Sequence, residues 1–66
     1  MKNSIKVHRA IHDLTQDQLA KAIGVSRQTI NSIEKGKYVP STLLALKISG
    51  LFKVSVNELF YLEEDD

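Results

Sequence analysis

The segment from Thr15 to Lys37 (TQDQLAKAIGVSRQTINSIEKGK) constrains the fold most, because it carries two helix-start signals and a helix stop between them. Thr15 and Gln18 have the spacing of a capping box, in which the threonine hydroxyl accepts the amide of Gln18 and the Gln18 side chain reaches back. Gly24 follows the last apolar residue of this first helix and is typical of a left-handed stop. Ser26 is a favourable N-cap for a second helix. The segment therefore predicts two short helices folded across a tight turn.

The apolar residues of this hairpin recur at helical spacing, so they predict one buried face on each helix. That face comprises Leu19, Ala20, Ile23, Ile30 and Ile33, with Val25 at the corner. The outward face of the second helix carries Arg27, Gln28, Thr29, Asn31 and Ser32. Short polar side chains that donate and accept hydrogen bonds suit the base edges of the DNA major groove. The alternative is an ordinary solvated helix face.

The chain has 66 residues, which predicts one domain spanning 1–66 with a small core. It contains no cysteine, which excludes disulfides and thiolate metal sites and is typical of a reducing cytoplasm. The sequence has no signal-peptide pattern and no apolar run of the roughly 20 residues that a membrane span needs. We therefore expect a cytoplasmic protein without a membrane partner.

The formal net charge of +1 is unevenly distributed along the chain. Residues 1–38 hold seven Lys or Arg against three Asp or Glu, which gives +4. Residues 39–66 hold two against five, which gives −3, and four of these acids form an acidic tail at 63–66. The positive half contains the polar helix, as expected of a nucleic-acid binder. We expect the acidic tail to be a frayed, solvated end.

The remaining sequence predicts three more helices. The first runs from about Asn3 to His12, and the fourth is opened by Pro40-Ser41 and continues from Thr42 through Phe52. Its core residues are predicted to be Leu44, Ala45, Ile48 and Leu51. Ser55 to Glu58 is a capping box for a single-turn fifth helix. Phe60-Tyr61-Leu62 has strand-like composition and could pair with Lys2-Asn3-Ser4 as a short ribbon.

Together these segments resemble the phage lambda and Cro repressor-like family, often called XRE-type regulators. The matching residues of the helix-turn-helix (15–35) and its following loop are Gln16, Leu19, Ala20, Gly24, Val25, Ser26, Gln28, Ile30, Ile33, Glu34, Gly36 and Lys37. The flanking segments IKVHRA, YVPS, LALKI and VSVNELF also match, so the resemblance covers residues 5–62. It implies an all-α, five-helix lambda-repressor-like domain that binds double-stranded DNA and is not an enzyme.

The resemblance also implies roles for individual residues. Base readout is expected from Arg27, Gln28, Thr29 and Asn31, with Gln28 making a bidentate contact to adenine. Arg27 could instead pair with a phosphate, and the sequence does not decide between the two. Backbone contacts are expected from Gln16, Ser26, Ser32, Lys35, Lys37 and Tyr38. Arg9 and Glu34 match positions whose side chains approach each other, so we expect a structural ion pair.

Three residues depart from the family pattern. Lys53 stands where relatives usually place glycine or asparagine, and a left-handed conformation there would cost roughly 1 kcal/mol. Gly50 lies inside the fourth helix, and His8 replaces a large apolar residue. His8 and His12 are four apart and could face one metal, but a third ligand would have to come from Asp13 or Asp17. We expect no metal, no cofactor, no catalytic residues and no small-molecule ligand.

A single helix-turn-helix reads few base pairs, so useful affinity generally needs two copies. We expect a homodimer whose interface uses Leu43, Val56, Leu59, Phe60, Tyr61 and Leu62. For Leu59 and Phe60 the alternative is that they close the monomer core. The function that follows is a homodimeric repressor acting on a palindromic operator. Two alternatives are an antitoxin-like autoregulator that grips a partner through helices 4 and 5, and an interaction module that has lost DNA binding.

Overall fold

The computed structural model describes all 66 residues and contains five helices and two short strands. The helices are α1 (Ile5–Ile11), α2 (Gln16–Ile23), α3 (Arg27–Glu34), α4 (Thr42–Phe52) and α5 (Val56–Leu59). Strands β1 (Lys2–Asn3) and β2 (Phe60–Tyr61) pair antiparallel, with Lys2 opposite Tyr61 and Asn3 opposite Phe60. The prediction of a five-helix domain with a short terminal ribbon is confirmed. None of the helices is long and apolar enough to cross a membrane.

Four of the five helices begin at a hydroxyl cap. The Thr15 hydroxyl accepts from the Gln18 N–H at 3.0 Å while the Gln18 side chain accepts from the Thr15 N–H at 2.9 Å, which completes the expected capping box. Ser26, Ser41 and Ser55 cap α3, α4 and α5 in the same way. At α5 the return bond from Glu58 is absent, so that box is only half formed. Pro40 lies before the Ser41 cap instead of inside the first turn of α4.

The chain leaves each of the four longer helices through a residue with positive φ. These residues are Asp13 (57°), Gly24 (78°), Gly36 (74°) and Lys53 (58°). At the end of α4 the N–H of Val54 donates to the Ser49 carbonyl at 3.1 Å and that of Lys53 to the Gly50 carbonyl at 3.3 Å. This is the hydrogen-bond pattern of a Schellman motif, which closes a helix by satisfying its last carbonyls. Lys53 thus adopts the left-handed conformation that was considered for it above, whereas no local signal predicted a left-handed residue at Asp13.

The core is a single cluster to which every helix contributes. Its members are Ile5, Leu19, Ala20, Ile23, Ile30, Ile33, Leu44, Ile48, Phe52, Leu59 and Phe60. In α4 the buried apolar residues are four apart, so Phe52 faces inward and not the predicted Leu51, which is 37% exposed. Ala45 is only half-buried. An apolar run on nearly every side of a helix gives no periodicity from which to choose the buried face.

Two of the residues expected at a dimer interface are in the monomer core instead. Leu59 is 0% exposed and Phe60 8% exposed, because both side chains pack in the core of a single chain. They therefore offer almost no surface to a second subunit. Leu62 (81%), Leu43 (66%) and Tyr61 (43%) are exposed, and Val56 is half-buried.

The N-terminal segment differs from the expected helix start. α1 begins at Ile5 because Lys2 and Asn3 belong to the ribbon. Both histidines of this region lie against the Phe52 ring, with ring centroids 5.6 Å away for His8 and 5.2 Å for His12. The imidazole of His8 therefore fills the place of the expected apolar side chain by packing on an aromatic ring.

The acidic tail folds back onto the start of the chain. The Met1 amine lies 3.3 Å from a carboxylate oxygen of Glu63 and 3.3 Å from one of Asp66. The backbone N–H of Glu63 donates to Asp66 at 2.7 Å, and this bond lowers the pKa of the Asp66 carboxyl. Glu63 and Asp66 are thus paired with the amine, which corrects the expectation that all four tail acids form a frayed end, while Glu64 and Asp65 are exposed to solvent.

The left-handed Lys53 generates a prediction of stability. Lys53→Gly should raise the free energy of unfolding by about 1 kcal/mol, because glycine adopts this conformation without a Cβ clash. For a domain of this size that corresponds to a melting-temperature increase of about 4–8 °C. Lys47→Gly, an exposed interior position of α4, is the matched control and should lose about 1 kcal/mol. Thermal unfolding measures both variants. If Lys53→Gly lowers the melting temperature as much as Lys47→Gly does, the strain at Lys53 is refuted.

Candidate nucleic-acid interface

Helices α2 and α3 form a tight hairpin around a buried alanine. α2 ends at Gly24, and the N–H groups of Gly24 and Val25 both donate to the carbonyl of Ala20. Ser26 then caps α3, so the chain reverses within three residues. Ala20 is only 1% exposed, and its small side chain lets the two helices approach closely at this point.

Helix α3 is anchored by its inner face and displays polar groups on its outer face. Ile30 and Ile33 are buried at 0% and 1% exposure. Arg27 and Gln28 are exposed in the first turn of the helix, and Thr29, Asn31 and Ser32 are half-buried beside them. The helix is therefore anchored in the core by its inner face, while its first turn is exposed.

The cap of α3 brings several candidate contacts together. The Ser26 Oγ accepts from the Thr29 N–H at 3.1 Å and lies 2.9 Å from the Thr29 hydroxyl. Tyr38, from the loop after α3, lies beside the same turn. An open recess on this face is lined by Ser26, Gln28, Thr29, Ser32 and Tyr38. The structure thus brings two of the expected base-contacting residues and three of the expected backbone-contacting residues together around one recess.

Arg9 and Glu34 form the expected ion pair through two hydrogen bonds. Arg9 Nε donates to Glu34 Oε2 at 2.6 Å and Arg9 Nη2 to Glu34 Oε1 at 3.1 Å. Arg9 Nη1 also donates to the Leu14 carbonyl at 2.9 Å. The side chains are only 14% and 8% exposed, and the hydrogen bond to Glu34 raises the pKa of the Arg9 guanidinium against the effect of desolvation. The pair joins α1 to the end of α3.

Glu34 also connects to the candidate DNA contacts at Gln16 and Asn31. Gln16 Nε2 donates to Glu34 Oε1 at 3.2 Å, and Asn31 Nδ2 donates to Gln16 Oε1 at 3.4 Å. This network orients the first residue of α2 relative to the middle of α3. This network was not predicted, because residues fifteen apart on two different helices leave no spacing signal in the sequence. Each amide keeps one N–H, and Asn31 its carbonyl oxygen, for an external partner.

The loop that follows α3 carries two exposed lysines, Lys35 and Lys37. Gly36 adopts φ 74°, with its N–H bonded to the Ile33 carbonyl at 2.9 Å and the N–H of Lys37 bonded to the Ser32 carbonyl at 3.0 Å. This Schellman motif turns the chain into a loop on which Lys35, Lys37 and Tyr38 are exposed. Within the hairpin and this loop, Asp17 is paired with Lys21 at 3.3 Å and Glu34 with Arg9. The cations of the loop and of Arg27 therefore face solvent without local acidic partners.

Comparisons with known proteins agree with this geometry. A helix-turn-helix family model matches residues 5–59. An uncharacterised HTH-type transcriptional regulator of Methanocaldococcus jannaschii is 56% identical over 66 residues, covering 100% of both chains. One from Bacillus subtilis is 48% identical, again over 100% of both chains. The ImmF control region 10 kDa protein of Bacillus phage phi105 is 40% identical over 55 residues, covering 83% of this chain and 61% of that protein.

The ion pair generates a prediction of stability. Glu34→Ala should lower the free energy of unfolding by about 3–5 kcal/mol, because it leaves the Arg9 guanidinium half-buried without its charge partner. The double variant Arg9→Met with Glu34→Leu is the control and should recover a large part of that loss, since it buries no unpaired charge. Urea unfolding of the three proteins measures both effects. A change within about 0.5 kcal/mol for Glu34→Ala would contradict a structural role for the pair.

Proposed function

Because the chain belongs to the helix-turn-helix family of DNA-binding transcriptional regulators, we propose that it is a homodimeric repressor that reads a palindromic operator through the major groove. The observation that carries the proposal is helix α3, whose inner face is buried and whose first turn presents exposed Arg27 and Gln28. We refer to α3 as the recognition helix from here on.

The proposed readout uses the first turn of the recognition helix. The Gln28 amide carries a donor and an acceptor side by side, which matches adenine N6 and N7 in the major groove. Arg27 precedes it and is assigned to guanine or to a flanking phosphate. The Thr29 hydroxyl is engaged with Ser26, so its methyl group is the better candidate for contact with a thymine methyl. Asn31 lies further along the helix, and its free carbonyl oxygen is assigned to accept a hydrogen bond from a base edge.

The proposed backbone contacts flank this turn on both sides. Gln16 begins α2, where its remaining amide hydrogen and the free N–H groups of the helix start can meet one phosphate. Ser26 and Ser32 border the recess, and Lys35, Lys37 and Tyr38 form the second anchor. Phosphate contacts on two sides fix the register of the recognition helix without themselves carrying sequence information.

The homodimer is proposed from the need for a second recognition helix and from the exposed apolar residues. Two-fold pairing would place two recognition helices about 34 Å apart, in successive major grooves. The surface assigned to pairing comprises Leu43, Val56, Tyr61 and Leu62. Leu62 is the strongest of these, because an apolar side chain that is 81% exposed gains most from being covered.

Repression is proposed because binding alone can occlude a promoter. Similarity to the control region protein of phage phi105 supports a regulatory role, and repression is our proposal. A second function, an antitoxin-like autoregulator, is favoured by one observation: α4 exposes Leu43 and Leu46, at 66% and 55%, on its outer side. Such a face could grip a partner protein. Co-purification of a second polypeptide with the chain from its own host would support this alternative over the repressor.

Selection of bound sequences from a random pool of duplexes at fixed salt tests the main proposal. The expected result is enrichment of a palindrome with half-site centres about 10 bp apart. A two-fold dimer places its two recognition helices in successive major grooves, which are one helical turn apart. A single unrepeated half-site would retain DNA recognition and refute the dimer. No enrichment would refute sequence-specific recognition and favour an interaction module.

A pair of substitutions separates base readout from backbone contact. Gln28→Ala should cost about 1–3 kcal/mol of binding free energy and relax preference at one position per half-site. Lys37→Ala should weaken all sequences alike and reduce the salt slope by about 1 per subunit. Competition binding with single-base operator variants at several salt concentrations gives both quantities. If Gln28→Ala leaves every base preference intact, Gln28 is not a reading residue.

A further inference from the structure

Asn3 lies where the terminal ribbon, the start of α1 and the end of the recognition helix meet. Its Nδ2 donates to the Ile33 carbonyl at 2.8 Å, and its Oδ1 accepts from the Ile5 N–H at 3.2 Å. We propose that Asn3 is a positioning residue for DNA recognition, which holds the end of the recognition helix and the following loop in place for phosphate contact. This inference rests on the proposed function.

The carbonyl that Asn3 contacts belongs to the motif that ends the recognition helix. The last carbonyls of a helix lack partners within it, so their hydrogen bonds decide how the chain leaves. The Ile33 carbonyl accepts the Gly36 N–H at 2.9 Å and also the Asn3 side chain, which comes from 30 residues earlier in the chain. The turn at Gly36 is therefore fixed both by its own backbone and by the ribbon.

The ribbon also lies directly behind this turn. A Cβ on Gly36 would stand 3.3 Å from the Met1 carbonyl oxygen, so the backbones of the two segments are in close contact. Lys2 and Asn3 of the ribbon and Lys35 and Gly36 of the turn line the recess between the two segments. The loop that carries Lys35 and Lys37 is exposed on its other side, so the ribbon is its support.

An amide suits this position because it must donate on one side and accept on the other. The Ile33 carbonyl requires a donor and the Ile5 N–H requires an acceptor, which fixes the orientation of the Asn3 amide. An aspartate carboxylate has no proton to donate to the Ile33 carbonyl, and a serine side chain is too short to reach that carbonyl. β1 pairs with β2, and Leu62 of the proposed dimer surface follows β2. The ribbon thus connects the proposed dimer surface to the loop that carries Lys35 and Lys37.

The test compares Asn3→Ser with Ser4→Ala in the full chain. Asn3→Ser keeps a short acceptor for the Ile5 N–H but loses the donor to Ile33, and it changes no charge. Ser4→Ala removes the hydrogen bond from the Ser4 hydroxyl to the Glu58 carbonyl, 3.0 Å long, beside the same ribbon but away from the recognition helix. For both variants we would measure amide hydrogen exchange at Gly36 and Lys37 and the affinity for the selected duplex. Urea unfolding gives the global stability of each variant.

Asn3→Ser should speed exchange at Gly36 and Lys37 by about three- to tenfold beyond any change in global stability, the effect of losing one hydrogen bond. Affinity for specific and random duplexes should fall by a similar factor, while base preference stays unchanged. Ser4→Ala should show neither effect. Equal behaviour of the two variants, or wild-type affinity in Asn3→Ser, overturns the positioning role alone. Failure of the wild-type chain to bind any duplex overturns it together with the proposed function.

Discussion

The ion pair between Arg9 and Glu34 is the interaction on which the arrangement of this molecule depends. It joins residues 25 apart in sequence and ties α1 to the end of the recognition helix. Through Glu34 it also holds Gln16, and through Gln16 it reaches Asn31. A buried pair of this kind contributes little net stability relative to apolar packing, because desolvation offsets the attraction. Its geometry nevertheless fixes the relative orientation of three helices.

The same pair also resolves an electrostatic conflict. A carboxylate at the end of the recognition helix would repel DNA phosphates if it were free. Because Arg9 neutralises Glu34 from the core side, the positive charges of Arg27, Lys35 and Lys37 are not opposed there. Glu63 and Asp66 of the acidic tail pair with the Met1 amine in a similar way. Charge pairing within the molecule thus leaves the proposed DNA-binding surface with a positive balance despite a net charge of only +1.

Short helices in a chain of 66 residues depend on well-defined ends. Hydroxyl caps open four of the five helices, and left-handed residues close four of them. Two of the closing residues are Asp13 and Lys53, which adopt this conformation at a cost that glycine does not incur. That cost is tolerated because each such turn lets the next helix pack directly on the core. The recognition helix ends at Glu34, and the left-handed residue after it is Gly36, where the Met1 carbonyl leaves little room for a side chain.

The division of roles on the surface follows from what the core requires. Leu59 and Phe60 are drawn into the monomer, so the apolar surface left for a partner is smaller and lies on Leu62, Tyr61 and α4. The polar face of the recognition helix is not needed by the core and remains available for DNA. The ribbon contacts the end of the recognition helix through Asn3 and is followed by Leu62, so it connects the proposed pairing surface to the loop that carries Lys35 and Lys37.

The sequence by itself determined the helix starts at Thr15 and Ser26, the stop at Gly24, and the polar outer face of the recognition helix. Each depends on hydrogen bonds or periodicity within a few residues, so local spacing suffices to predict it. Only the tertiary structure decided that Phe52 and not Leu51 faces the core, that Leu59 is buried, that Gln16 contacts Asn31 and that Asn3 reaches Ile33. Each of these contacts depends on how separate elements pack, and an apolar or polar residue type alone does not specify its distant partner.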